Sequence, residues 1–125
     1  MKQFGIVVIL ALVITGCQTI PEKPANVSLE FDGIWKGERI ITSGSRCLET
    51  KIEGSVKNGL AELTLIYNGT LLRGWINQAG KVTFEAYNPN WNYAFSGQVL
   101  GNKMAGDWMV DGGLCSGNWH VTKTG

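Results

Sequence analysis

From residue 29 onward, apolar and polar residues alternate with a period of two. Ala61, Leu63, Leu65 and Tyr67 share one face; Val82, Phe84 and Ala86 oppose Lys81, Thr83 and Glu85. Met104, Gly106, Trp108 and Val110 oppose Lys103 and Asp107, and Gly117, Trp119 and Val121 oppose Ser116, Asn118, His120 and Thr122. Successive side chains of a strand point to opposite faces, so such alternation predicts half-buried strands. Turn residues cut the pattern at Ser43-Gly44-Ser45, Asn58-Gly59, Asn68-Gly69, Ala79-Gly80, Asn88-Pro89-Asn90, Gly101-Asn102 and Asp111-Gly112-Gly113. Asn-Gly suits a tight hairpin because both central residues of a type I′ turn need positive φ. The strands are expected near 31–41, 47–56, 60–67, 70–77, 81–87, 93–100, 103–110 and 114–122.

Eight short antiparallel strands joined by hairpins predict an all-β fold, an up-and-down barrel, which also removes the exposed edges of an open sheet. A β-sandwich is the alternative. Its usual disulfide joins the sheets with a Trp soon after the first Cys. Here Trp75 lies far downstream of Cys47, a poor fit.

Gly-x-Trp occurs three times, as Gly33-Ile34-Trp35, Gly106-Asp107-Trp108 and Gly117-Asn118-Trp119. The spacing puts glycine and indole on one face, and barrel closure would make the first, seventh and eighth strands neighbours. Glycine lets a strand bend and leaves room for a bulky neighbour. Trp35, Trp108 and Trp119 therefore form either a packed core cluster or the aromatic wall of a ligand cavity; small eight-stranded barrels occur in both forms.

The N-terminus carries a different signal. Lys2 precedes an apolar run, Phe4 to Ile14, followed by Thr15, Gly16 and Cys17. As a helix the run spans about 16 Å, too short for a bilayer core of about 30 Å. A charged start, a short apolar stretch and small residues are the layout of a secretion signal. Ile14-Thr15-Gly16-Cys17 resembles the lipobox of bacterial lipoproteins. The resemblance implies removal of residues 1–16, acylation of Cys17, and attachment to a membrane through that lipid. Gln18 stands where lipoproteins retained in the inner membrane of enteric bacteria carry Asp, which favours the outer membrane. Residues 17–28, with Pro21 and Pro24 and few apolar side chains, read as a flexible tether. Residues 29–125 form one domain.

The chain has 11 basic and 10 acidic residues, and loss of Lys2 leaves the signs balanced with no cluster of either. Nothing favours nucleic acid as a partner. In an exported protein the remaining pair, Cys47 and Cys115, is most simply a disulfide, contributing roughly 4 kcal/mol in the chain-entropy model. His120 is the one histidine, so a zinc site is not expected. No cofactor fingerprint is present.

Hairpin counting divides the loops between the barrel ends. The 57–59, 78–80 and 101–102 connections lie near the tether, and 42–46, 68–69, 88–92 and 111–113 lie at the far end. Binding residues concentrate on loops held by a rigid scaffold. Both cysteines fall at the far end, flanking the first strand. Two strand spacings are about 10 Å, above the ~7 Å Cα limit for a disulfide, so a bulge or loop position near Cys47 is required. In the 88–92 loop, Trp91 stands among polar residues between Tyr87 and Tyr93. An aromatic cluster of this kind either marks recognition or folds back over the barrel end. Arg46, Trp91, Tyr93 and Asp111 are the candidate ligand- or partner-binding residues.

The barrel resembles the calycin-like proteins. Lipocalins, avidins and the small barrel inhibitors of bacterial metalloproteases open with Gly-x-Trp on the first strand, here Gly33-Ile34-Trp35. The inhibitors match best in length, export and a single disulfide. The chain lacks the terminal helix of lipocalins and a recognisable avidin biotin pattern, so only Trp35, as a structural residue, carries over.

No catalytic set stands out. Gly113-Leu114-Cys115-Ser116-Gly117 has the shape of a nucleophile elbow but no following helix. His120 lies on the polar face, and Glu49 and Glu53 flank Lys51 on an exposed strand face. The expectation is a non-enzymatic, membrane-anchored envelope lipoprotein that binds a small apolar ligand or a protein at its far end. The alternatives are an inhibitor of a secreted or host hydrolase, a lysozyme or protease, and a structural envelope protein.

Overall fold

A computed structural model describes residues 20–44, 47–111 and 114–125. Residues 1–16, expected to be a signal sequence, together with Cys17, Gln18 and Arg46, lie outside the described residues. The chain forms β1 (Gly33–Ser43), β2 (Thr50–Lys57), β3 (Leu60–Leu65), β4 (Thr70–Trp75), β5 (Lys81–Tyr87), β6 (Tyr93–Leu100), β7 (Lys103–Val110) and β8 (Ser116–Lys123). Each strand pairs antiparallel with the next, and β8 closes on β1 as a barrel. The eight-stranded up-and-down architecture is therefore as the alternation predicts.

The differences lie at strand ends. β2 starts at Thr50 rather than residue 47, leaving Cys47, Leu48 and Glu49 in a loop. β3 stops at Leu65, and Ile66–Gly69 form a four-residue turn in place of a two-residue one. Asn58 and Gly59 both take positive φ, as a type I′ turn requires, whereas at Asn68-Gly69 only the glycine does. Asn68 instead turns its side-chain oxygen onto the Thr70 amide, at 3.1 Å. An Asx contact of this kind substitutes for backbone turn geometry.

The interior is filled by side chains. Ala61, Leu63, Leu65, Leu72 and Ile76 have no exposed surface, and they join the Trp and Phe rings in a single core cluster. The Gly-x-Trp motifs explain how three indoles fit. In the β7–β8 register Gly106 stands opposite Trp119 and Trp108 opposite Gly117, so each indole faces a glycine. One strand further on, a Cβ at Gly97 would lie 2.6 Å from Trp119 Cζ2. The indoles are at most 2 % exposed. Their Nε1 groups donate to Phe31 O from Trp35 (3.0 Å), to Ile40 O from Trp108 (2.9 Å) and to Ser96 O from Trp119 (3.0 Å). A buried indole N–H without an acceptor would be costly. The core alternative for the tryptophans therefore matches the packing. Trp35 sits lower than the other two, opposite Lys123, while Arg39 takes the position opposite Trp119.

The segment before β1 closes the near end. Val27 bridges to Asn77, the Ser28 amide donates to Ile76 O at 2.9 Å, and Gln78 N donates to Asn26 O at 2.9 Å. Trp75 Nε1 reaches Pro21 O at 2.7 Å, and Phe31 packs on the core. Residues 21–28, which composition reads as flexible tether, thus lie against the barrel. They find partners because β4 leaves its ladder at Ile76 and exposes backbone groups that must be satisfied.

Candidate functional site at the far mouth

With the near end covered, the far end is the accessible opening. The residue that distinguishes it is Arg39, on the inward face of β1 two positions beyond Gly37. Its side chain is 1 % exposed. The guanidinium lies 4.2 Å from the Trp108 ring centroid, 5.3 Å from Tyr67 and 5.5 Å from Tyr93. Cation–π contacts of this kind stabilise a desolvated cation by about 2 kcal/mol or more. Nη2 donates to the carbonyl of Leu48, while Nε and Nη1 are buried with no hydrogen-bond partner. Arginine stays protonated, so this is a buried positive charge with unmatched donors.

Among the described residues no carboxylate pairs with it. Glu62 lies 2.8 Å from Arg73 Nε, off hydrogen-bond alignment, and Glu38 lies 3.8 Å from His120 Nε2. Glu49 and Asp111 are exposed.

Above the guanidinium runs a polar network. The Tyr67 and Tyr93 hydroxyls are 3.0 Å apart, and Asn68 Nδ2 donates to Tyr93 Oη at 3.3 Å. Asn68 Oδ1 accepts from Thr70 Oγ1 at 2.8 Å, and Asn88 Nδ2 donates to Thr70 Oγ1 at 2.6 Å. Asn88 Oδ1 then takes the amides of Asn90 (2.8 Å) and Trp91 (3.0 Å). The network ties the β3–β4 turn to the Trp91 loop. Burial raises the Tyr67 pKa, and the Tyr93 hydrogen bond adds to this, against the opposing hydrogen-bonding interaction and charge of Arg39. The phenol therefore stays neutral and available as a donor at physiological pH. Leu48, Tyr67 and Trp91, on three of the far-end connections, are exposed.

The residues expected from sequence divide here. Trp91 is 39 % exposed on its anchored loop, whereas Tyr93 is 5 % exposed and faces the core, with its ring against Phe95 and Trp108. Asp111 is exposed, and its amide and carboxylate meet Asn92 O (2.8 Å) and Nδ2 (3.3 Å), linking the two far-end loops. Arg46 lies outside the described residues. Cys47 and Cys115 are at disulfide distance, with Cα atoms 6.3 Å apart. The excess distance expected across β1 disappears because Cys47 precedes β2 in a loop, and the β1–β8 register shifts between Ile41 and Ser43. Sequence reasoning passed over Arg39. Its signal was a charge at even spacing from Trp35 on an inward-facing strand position.

A groove of about 600 Å³ runs along the outer wall of β5 to β8, lined by Thr83, Ser96, Asp107 and Met109 among others. Its lining also includes Tyr93 and Trp108. Glu49, Lys51 and Glu53 are solvated, and His120 stands in register with Glu38 and Ala105, apart from Cys115. Among the described residues no three His, Cys, Asp or Glu side chains converge to hold a metal.

No protein-family model, curated protein or solved structure matches the chain. The far mouth is accordingly interpreted from its own geometry.

Proposed function

We propose that the protein is a lipid-anchored lipoprotein of the bacterial cell envelope, attached through Cys17 and directed to the outer membrane by Gln18. It acts as a non-enzymatic binding module through the barrel end distal to the membrane. The observation that carries the reading is the far end itself: an exposed indole, Trp91, on a loop tied to the β3–β4 turn by hydrogen bonds, at the barrel end that also exposes Leu48 and Tyr67. Aromatic anchors on a rigid base lose little entropy on binding and dominate interface energetics. Because side chains fill the barrel, the module suits a protein partner better than an internal small apolar ligand.

The same filled, rigid end also favours a specific form of this reading, inhibition of a secreted or host hydrolase by insertion of a far-end loop. Assays of lysozymes and metalloproteases with added protein test that form. A purely structural envelope role is the remaining alternative.

Two measurements test the proposal. A photo-crosslinking residue at position 91 in intact cells is expected to give a discrete protein adduct, while one at Glu53 on the outer wall gives none. Once the partner is identified, Trp91→Ala is expected to weaken binding about thirtyfold, the effect of losing a hot-spot aromatic, with stability changed by less than about 0.5 kcal/mol. Adducts from neither position would overturn the binding reading. Anchoring is tested separately: Cys17→Ser is expected to abolish incorporation of labelled palmitate and move the protein from the membrane to the soluble envelope fraction.

A further inference from the structure

The far mouth holds a buried cation with unmatched donors and, among the described residues, no acid paired with it. We propose that Arg39 is the receptor for a carboxylate inserted into the mouth by a protein partner, an inference that rests on the far end being the binding surface.

Three observations converge on this ligand chemistry. The Arg39 Nε and Nη1 groups have no acceptor, and a guanidinium lacking acceptors is best satisfied by a carboxylate, which accepts several N–H bonds at once. The charge has no intramolecular counter-ion among the described residues, and only the rings of Trp108, Tyr67 and Tyr93 offset it. A hydrogen-bonded partner of the guanidinium, Leu48, sits on the far-end loop before β2. The Leu48 carbonyl takes the Nη2 proton while the Leu48 side chain is exposed at the rim. An incoming carboxylate would compete with that carbonyl for the guanidinium.

The surroundings narrow the occupant further. The far-end side chains Leu48 and Trp91 are apolar and exposed, so the carboxylate arrives on a body with apolar groups beside it. The barrel below is filled by Trp108, Phe95 and Trp119, which leaves no channel for a lipid tail. An acidic side chain flanked by apolar residues, or a C-terminal carboxylate following one, meets both demands. The Tyr67 and Tyr93 hydroxyls, on the rings that flank the guanidinium, supply further donors.

The test uses the mature lipidated protein in detergent, with nitrogen-15 label, and three probes. N-acetyl-leucine stands for a C-terminal carboxylate, N-acetyl-glutamic acid α-amide for an acidic side chain, and N-acetyl-leucinamide for the uncharged control. Either carboxylate is expected to shift the Arg39 Nε–H and Trp108 Nε1–H resonances saturably, and the amide to shift neither. The carboxylate with the lower apparent Kd identifies the source. In Arg39→Met the Trp108 shift is expected to vanish and the position-91 adduct in cells to fall at least tenfold. Thermal stability is expected to hold or rise, because an apolar side chain replaces an incompletely satisfied buried charge. Should that variant fail to fold, Arg39→Lys keeps the charge without the planar fork and is expected to weaken the probe at least tenfold. Equal shifts from the amide and the carboxylates would overturn the proposal, as would no shift from any probe. So would an undiminished position-91 adduct in folded Arg39→Met, and that result would leave the binding surface standing.

Discussion

Trp119→Ala is expected to cost about 3–5 kcal/mol, the range for truncating a large buried aromatic, against a total stability of about 5–15 kcal/mol for a domain of this size. Guanidinium unfolding followed by circular dichroism measures it. Trp119 is 1 % exposed; its ring meets Phe84 edge-on at 5.6 Å and Phe95 at 6.1 Å. Its Nε1 satisfies Ser96 O, and its six-membered ring lies over Gly97 where a Cβ would intrude. Removing the indole empties the centre of the barrel, and closed hydrogen-bonded strands collapse into a void less readily than a helix pair can. A loss below about 1.5 kcal/mol would mean that the interior relaxes around the gap, contrary to the packing described above. Trp91→Ala, with the same chemistry at the exposed rim, provides the internal comparison.

The second large effect concerns the cysteine pair. Cys47→Ser with Cys115→Ser is expected to lower stability by about 2–4 kcal/mol, since the bridge closes a loop across a sequence separation of 68 residues. Comparing oxidised and reduced protein in urea should give the same difference as the double variant. A local consequence accompanies the global one. Leu48, whose carbonyl holds Arg39, follows Cys47 directly, so the bridge fixes the loop that covers the guanidinium. Removing the bridge is expected to shift the Arg39 Nε–H resonance under conditions where the barrel remains folded. A double variant with unchanged stability in urea would show that the pair is reduced in the exported protein.

Strand identity, facing and closure were legible along the chain. The alternation through Ala61, Leu63 and Leu65 is a consequence of strand geometry alone, and Asn58-Gly59 specifies its turn through local φ preferences. The signal at Cys17 is likewise a linear motif, legible without any fold. Even the mutual fit of Gly106 with Trp119 and Trp108 with Gly117 was implicit in two equal motifs on adjacent strands.

The site was less legible because its parts are defined by what they meet. Trp91 could be recognised as an aromatic among polar residues, but its Asn88 tether to Thr70 depends on how two loops converge. Tyr93 looked like part of the same exposed cluster, and only the first inward position of β6 turns it into the core. Cys47 and Cys115 could be paired from export context, though not positioned, since two residues of loop decide whether their Cα atoms are in reach.

By itself, then, the sequence determined eight strands, their inward faces and their order around a barrel, because each depends on backbone geometry within a few residues. Tertiary structure alone decided that Arg39 stands against Tyr67, Tyr93 and Trp108 with no counter-ion among the described residues, and that residues 21–28 seal the opposite end. Both follow from strand stagger and closure, which bring together groups that no local pattern connects.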